Sequence, residues 1–170
     1  RHVDLSRLRE ERRDYLSALS AKNRYHVRRT KRAYEELAGP CTLRVAKTSE
    51  EATRMLHEMA ELHQARWEGR GHAGCFSSSK FTSFHERLIA RYPDRVLFFR
   101  LQAGPEVVGL LYCFLHRGWV YHYQSGFQYG LDERRSPGLL TLFYAISYCL
   151  EREDVAGFDF MAGDTEYKRA

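Results

Sequence analysis

Between residues 96 and 161 the sequence changes its hydrophobic period twice, and this alternation constrains the fold more than any other feature. Residues 96–101, 107–116 and 119–125 are rich in β-branched and aromatic side chains, as strands are. Ala103-Gly104-Pro105-Glu106 and Arg117-Gly118 separate them, so the three runs predict an antiparallel meander with tight turns. Ser136-Pro137-Gly138 then opens a strongly apolar helix carrying Leu139, Leu140, Leu142, Phe143, Ile146 and Leu150, and residues 157–161 read as a buried strand. A helix joining the third meander strand to the last strand is a right-handed crossover, which makes those two strands parallel neighbours.

Upstream, residues 5–37 follow a helical period, with Tyr15, Leu16 and Leu19 and then Tyr25, Tyr34 and Leu37 as the apolar positions. The pattern breaks around Ser20 and ends at Gly39-Pro40, giving two helices, with Tyr25 and Tyr34 expected to face the core. Residues 41–46 alternate as a short strand does. Thr48-Ser49-Glu50-Glu51 starts a helix running to about Trp67, with acidic residues at the positive end of its dipole. A loop, Gly69-Arg70-Gly71-His72-Ala73-Gly74, follows, and Ser77-Ser78-Ser79 supplies N-caps for a helix over residues 80–92, before Pro93. The predicted order is ααβααβββαβ, a mixed α/β chain of α+β type with a central sheet between helices.

At 170 residues, with 44% apolar and 29% charged side chains, the chain has the composition of one globular domain, which excludes disordered, collagenous and disulfide-scaffold classes. Its longest mainly apolar runs, 107–115 and 138–150, fall short of the ~18 residues of a membrane span. The chain begins Arg1-His2-Val3-Asp4, without an initiator Met or an apolar leader, as a domain cut from a longer polypeptide would. Cys41, Cys75, Cys113 and Cys149 lie 34, 38 and 36 residues apart, with no zinc-ligand spacing, which predicts scattered buried thiols in a reducing, cytoplasmic compartment and no metal. His57 and His63, six apart, fall on different helix faces and do not make a metal pair. Positive charge is confined to the start. Residues 1–32 hold 11 Lys/Arg against 4 Asp/Glu, a net +7, and residues 33–170 hold 16 against 18, a net −2, which together make the overall +5. The stretch 22–32 is either a solvated helix face or a contact for RNA or phospholipid headgroups.

The chemistry-bearing stretch is Tyr121-His122-Tyr123-Gln124-Ser125-Gly126 followed by Arg134-Arg135-Ser136-Pro137-Gly138-Leu139. A strand leads through a basic loop into a helix whose Pro needs no N–H and whose Gly admits close approach. Free amides at that helix start, the dipole and two arginines form an anion site suited to a pyrophosphate; a plainly capped helix has the same sequence signature. No nucleophile elbow, Walker loop, H-E-x-x-H or G-x-G-x-x-G motif is present.

The order of elements, with Arg135-Ser136-Pro137-Gly138 at the crossover helix, resembles the GNAT acyl-CoA N-acyltransferases, whose pyrophosphate loop carries an R/Q-x-x-G motif. Leu140 replaces the second small residue of that motif. More closely, the chain resembles the acetyltransferase-like domain of CelD-type proteins of cellulose and exopolysaccharide synthesis and their FemAB-like relatives. The matching segments are Leu16-Ser17-Ala18-Leu19-Ser20 with the basic helix through Arg28-Arg29, Leu62-His63-Gln64-Ala65-Arg66-Trp67, and Tyr123-Gln124-Ser125-Gly126-Phe127. Ser136-Pro137-Gly138 and the stretch Phe158-Asp159-Phe160-Met161-Ala162-Gly163-Asp164-Thr165-Glu166-Tyr167-Lys168 complete them.

The resemblance implies a GNAT fold over 39–170, cut short at its C-terminal end, after a basic helical connector over 1–38. It implies acetyl-CoA or another acyl-CoA as co-substrate and a small-molecule or sugar amine as acceptor. The donor then lies across Gln124, Ser125, Gly126, Arg134, Arg135, Ser136, Gly138 and Leu139, between two parallel strands that splay at their C-terminal ends. Tyr167 is placed where the family carries a phenol that protonates the leaving thiolate, or it packs. His122, Asp159 and Asp164 are base candidates, with Asp159 alternatively a structural hub. Arg66, Trp67, Tyr121, Tyr123, Asp164 and Lys168 fall on the acceptor side, Trp67 equally a helix-end anchor and Lys168 equally a solvated side chain. Three functions follow: a coenzyme A-dependent N-acyltransferase, a FemAB-like aminoacyltransferase using charged tRNA, and a GNAT-fold module without catalysis.

Overall fold

The computed structural model describes residues 1–130, 132 and 134–161. In chain order it forms β1 (His2–Asp4), α1 (Leu5–Glu10), α2 (Tyr15–Ala18), α3 (Ala21–Ala38), β2 (Cys41–Val45), α4 (Ser49–Glu68), α5 (Ser79–Arg91), β3 (Val96–Ala103), β4 (Glu106–His116), β5 (Trp119–Phe127), α6 (Pro137–Leu150) and β6 (Gly157–Asp159). Single 3-10 turns lie at Cys75–Ser77 and Pro93–Arg95. The helix starts are capped as the sequence predicts: the hydroxyls of Ser20, Thr48 and Ser78 accept the amides of Asn23, Glu51 and Phe81, satisfying donors that have no partner within the helix.

The six strands form one sheet in the order β1-β6-β5-β4-β3-β2. The meander is present, closed between β4 and β5 by Arg117 and Gly118, whose φ values of 48° and 75° are those of a type I′ hairpin turn. As predicted, β5 and β6 are parallel neighbours joined through α6. The structure adds β1, antiparallel to β6; three residues are too few to show an alternation in sequence. It also divides the first helical stretch into α1 and α2, with Asp4 and Asp14 as caps.

Helices cover both faces. Met55, Leu56 and Met59 of α4 and Ile89 of α5 pack on Phe98, Leu110 and Tyr112. On the other face, Leu142 and Ile146 of α6, with Leu5 and Leu8 of α1, pack on Phe99, Leu111, Cys113, Val120 and Phe158. There α3 contributes Val27 and Tyr34, which meet Leu101, Val108 and Leu140. The strand residues alternate between the two helical layers, as a period of two requires. Arg9 ties the far end of α6 down, donating to the carbonyls of Leu150, Arg152 and Val155. One expectation fails: Tyr34 is buried, but Tyr25 is 62% exposed. Nine residues at about 100° each turn a helix through two and a half revolutions, so the two rings lie on opposite faces.

Among the described residues no helix is long and apolar enough to cross a membrane. All four cysteines are unbridged, Cys113 and Cys149 buried and Cys41 and Cys75 half-buried.

Candidate active site

The site begins where β5 leaves β6. The two strands pair through Trp119↔Gly157, Val120↔Phe158 and Tyr121↔Asp159; beyond Tyr121, among the described residues, β5 continues to Phe127 without its parallel neighbour. The parting coincides with an irregularity on the other side of β5. Cys113 faces His122 and Tyr112 faces Gln124, leaving Tyr123 as an extra residue. Such a β-bulge bends its strand and steepens the local twist, and here it falls just after the last β5–β6 pair.

The bulge also sorts the side chains. Tyr123 packs against Tyr112 and Phe114, within the α4 layer, and Gln124 stands opposite Tyr112 on that face. His122 and Ser125 stand opposite Cys113 and Leu111, on the α6 face. Tyr121 pairs with Phe114 and belongs to the α4 face, and Asp159 is its neighbour in the parallel register, between Phe158 and Phe160 of the α6 layer. The two described base candidates are therefore divided between faces. His122 is 3% exposed. Asp159 is half-buried and its Oδ1 accepts the amide of Met161 at 2.7 Å. Gly126 faces α4 so closely that a Cβ would sit 2.5 Å from the carbonyl oxygen of Met59, so only glycine lets the strand approach the helix.

At the start of α6, Pro137 has no N–H and Ser136 makes no side-chain cap, so among the described residues no cap is seen for the first-turn amides of Gly138 and Leu139. Gly138 lies against the Phe127 ring, 3.1 Å from where a Cβ would stand. Leu140, the departure from the family motif, is fully buried with Val27 and Tyr34 and docks α3. The loop before the helix is held from α3, whose Thr30 hydroxyl donates to the carbonyl of Arg134 at 3.1 Å. The two arginines differ. Arg134 reaches solvent and is clamped by Asp132, which accepts its Nε–H and Nη2–H; this pairing holds the Asp132 carboxyl down at about 2. The Arg135 side chain is only 12% exposed. It binds Glu106 at 3.0 Å and lies 5.0 Å over the Tyr34 ring, yet its buried Nε–H makes no hydrogen bond.

Across the sheet, Arg66 and Trp67 end α4 and diverge. The Arg66 guanidinium stacks 3.7 Å over Tyr129, just past β5. The Trp67 indole N–H donates to His63 Nε2 at 2.9 Å, and Cys75 Sγ lies 4.0 Å from the same nitrogen. From there a run of edge-on aromatic contacts continues through Phe76, Phe81 and His85 to Tyr112 and Tyr123. His85 is 1% exposed and its Nδ1 lies 3.1 Å from the Tyr112 hydroxyl. Burial lowers the pKa of both histidines and raises that of both tyrosines, as expected where the charged form loses hydration. Sequence reasoning passed over His63 and Cys75 as site residues, and over His85 and Tyr112 altogether. They come from four separate segments, and the only signal available was the density of aromatics and histidines over residues 72–85.

Tyr167, Asp164 and Lys168 lie outside the described residues. Among those described, no group of three or more His, Cys, Asp or Glu side chains could hold a metal. His57 and His63 take separate partners, His57 pairing with Glu86 at 2.6 Å.

A family model described as an acetyltransferase (GNAT) domain matches residues 21–169. No curated protein sequence matches the chain. Three solved structures share the fold. FemX aligns with TM-score 0.67 and 11% identity over 97% of this chain and 53% of that one. L-PGS from Bacillus licheniformis aligns with TM-score 0.56 and 16% identity, over 99% and 48%. A possible acetyltransferase from Clostridium difficile 630 aligns with TM-score 0.51 and 12% identity, over 74% and 82%. The chain thus spans about half the length of the FemX and L-PGS structures.

Proposed function

The chain belongs to the acetyltransferase (GNAT) domain family, and from that premise we propose that it is an N-acyltransferase moving an acyl group from acetyl-CoA or another acyl-CoA to an amine acceptor. The observation that carries this reading is the parting of β5 from β6 after Tyr121 and Asp159, at the bulge on Tyr123. It leaves strand backbone available on the side that leads to the start of α6. An extended pantetheine arm can pair with such an edge as an added strand. The start of α6, where Ser136 makes no side-chain cap, the exposed Arg134 and the buried Nε–H of Arg135, which makes no hydrogen bond and has Asp132 at 3.7 Å as its ion-pair partner, suit a pyrophosphate.

The acyl-CoA would supply an activated thioester; the chain's residues position and polarise. Backbone N–H groups over Gln124–Gly126 would polarise the thioester carbonyl. Asp159, on the α4 face with Tyr121, Tyr123 and Gln124, is favoured over His122 for taking a proton from the bound acceptor ammonium, which gives the neutral amine that attacks, because it shares a face with the acceptor side. Tyr167 remains the proposed proton donor to the leaving thiolate. Arg66 and the 38% exposed Trp67 suit a sugar amine, in keeping with an acceptor from polysaccharide or cell-envelope synthesis.

A second reading, FemAB-like aminoacyl transfer from charged tRNA, is favoured by the likeness to FemX over 97% of this chain. Titration calorimetry of acetyl-CoA, with coenzyme A as control, separates the two. Binding by the native chain, weakened in Arg134→Ala and in Arg135→Ala at retained fold, supports acyl-CoA transfer. No binding, with acyl transfer appearing only when charged tRNA is supplied, establishes the second reading. Neither binding nor transfer leaves a GNAT-fold module without catalysis.

A further inference from the structure

A groove of about 870 Å³ lies far along the sheet from the end of the β5–β6 pairing, at the edge strand β2. Its walls come from β2, the first turns of α4, β3 and the end of α6. Five cationic side chains line it (Arg44, Lys47, Arg54, Arg100 and Arg152) against two carboxylates, Glu51 and Glu58. With Glu50 and Asp154, which stand beside Arg54 and Arg152, the groove and its rim are net +1, in a chain that carries −2 from residue 33 onward.

The arrangement within the groove is electrostatically incomplete. Arg44 and Arg100 stand directly opposite one another across the β2–β3 pair, a position where like charges repel. Only Arg100 has a carboxylate: Glu58 accepts its Nε–H and Nη2–H at 2.7 and 3.0 Å, in a bidentate fork. Gln102 also accepts from Arg100. Arg44 is exposed and has no ion pair among the described residues, nor has Lys47; Arg152 is paired with Asp154, and Arg54 lies in the field of Glu50. The edge also supplies amides. Ala46 N–H donates to Phe98 on β3, so by the two-residue alternation of an antiparallel pair Leu43 and Val45 turn their N–H groups outward. The next outward amide, Lys47, is already taken by a carboxylate, Glu51 Oε2, at 2.7 Å.

We infer that the β2-edge groove is a binding site for a compact polyanion carrying a phosphate chain, held by Arg44, Lys47 and Arg54 with the outward amides of Leu43 and Val45. An oligophosphate fits better than an acidic peptide. The cations converge on a short concave stretch, and guanidinium forks match phosphate oxygens. The site is separate from the α6 amides and does not depend on the acyl-CoA reading.

The test is titration calorimetry of sodium tripolyphosphate into the native chain and two variants, at about 50 mM salt to limit screening. Arg44→Ala with Lys47→Ala removes exposed groups and should weaken binding about tenfold or more. Lys22→Ala with Arg28→Ala removes equal charge from the solvent face of α3 and should change binding less than about twofold. Backbone amide shifts in NMR should move at Leu43 and Val45. No heat with the native chain, or equal losses in both variants, overturns the site. Tighter binding of hexaglutamate than of tripolyphosphate overturns the phosphate assignment in favour of an acidic peptide.

Discussion

Trp67 donates its indole N–H to Nε2 of His63 at 2.9 Å. Indole nitrogen only donates, so this bond exists only while His63 is neutral with its proton on Nδ1. Cys75 and Phe76 face the ring from the 3-10 turn, and Trp67 faces it from its own helix; none carries a charge that would stabilise imidazolium. Burial lowers the His63 pKa below the usual 6.5. The unfolded chain therefore takes up this proton first as pH falls. The stability due to neutral His63 is complete above pH 6.5 and declines below it, through the lowered folded value. Trp67 fluorescence is expected to change in that acid window with a single midpoint below 6.5, and His63→Phe should abolish the step. A midpoint at or above 6.5 would contradict this arrangement.

Arg135 and Arg134 are adjacent but should behave differently. Arg135 binds Glu106, covers the Tyr34 ring and is nearly buried. Arg135→Ala is expected to cost about 1–2 kcal/mol, below the full value of a buried pair because Glu106 stays partly solvated. Arg134 binds only Asp132 at the surface, and Arg134→Ala should leave the urea midpoint unchanged. Denaturation of both variants beside acetyl-CoA titration separates ligand contact from scaffold: lost affinity in Arg134→Ala can only be loss of contact.

The two glycines of the proposed donor site make a matched pair. A Cβ on Gly126 would lie 2.5 Å from the Met59 carbonyl and 2.9 Å from Leu62 Cβ, and helix backbone cannot rotate aside. Gly126→Ala is expected to destabilise by about 1–3 kcal/mol through overpacking. On Gly138 the new methyl would meet only ring carbons of Phe127 at 3.1–3.5 Å, so Gly138→Ala should cost less. Equal losses would mean that α4 does not press on β5 as described.

The meander, the crossover and the parallel β5–β6 pair were legible because each rests on local signals: β-rich runs, Gly-containing turns and a capped apolar helix. The bulge at Tyr123 was not legible, since nothing in Tyr121-His122-Tyr123-Gln124 marks which residue lacks a cross-strand partner; the register with β4 decides it. Arg134 and Arg135 read alike in sequence and were both assigned to an anion. Their different commitments come from Glu106, 29 residues away, and from Tyr34 on α3. The aromatic wall was hidden for the same reason, because His63, Phe76, His85 and Tyr112 meet only after α4, α5 and β4 have packed.

The contact between His85 and Tyr112 allows a sharper test of that wall. Among the described residues the hydroxyl of Tyr112 is the one hydrogen-bonding partner of the His85 ring, at Nδ1, and His85 Nε2 is buried without any. Tyr112→Phe strands a second nitrogen in an apolar layer, and His85→Phe strands a hydroxyl there. Each single change should cost about 1–3 kcal/mol, the desolvation of an unpaired polar group. The double change to Phe removes donor and acceptor together, keeps ring volume beside Phe81, Phe98 and Tyr123, and should be nearer neutral than either single variant. Urea denaturation of the four proteins gives the coupling energy directly. Additive losses would show that the two side chains contribute as separate packing groups and that their hydrogen bond holds nothing in place.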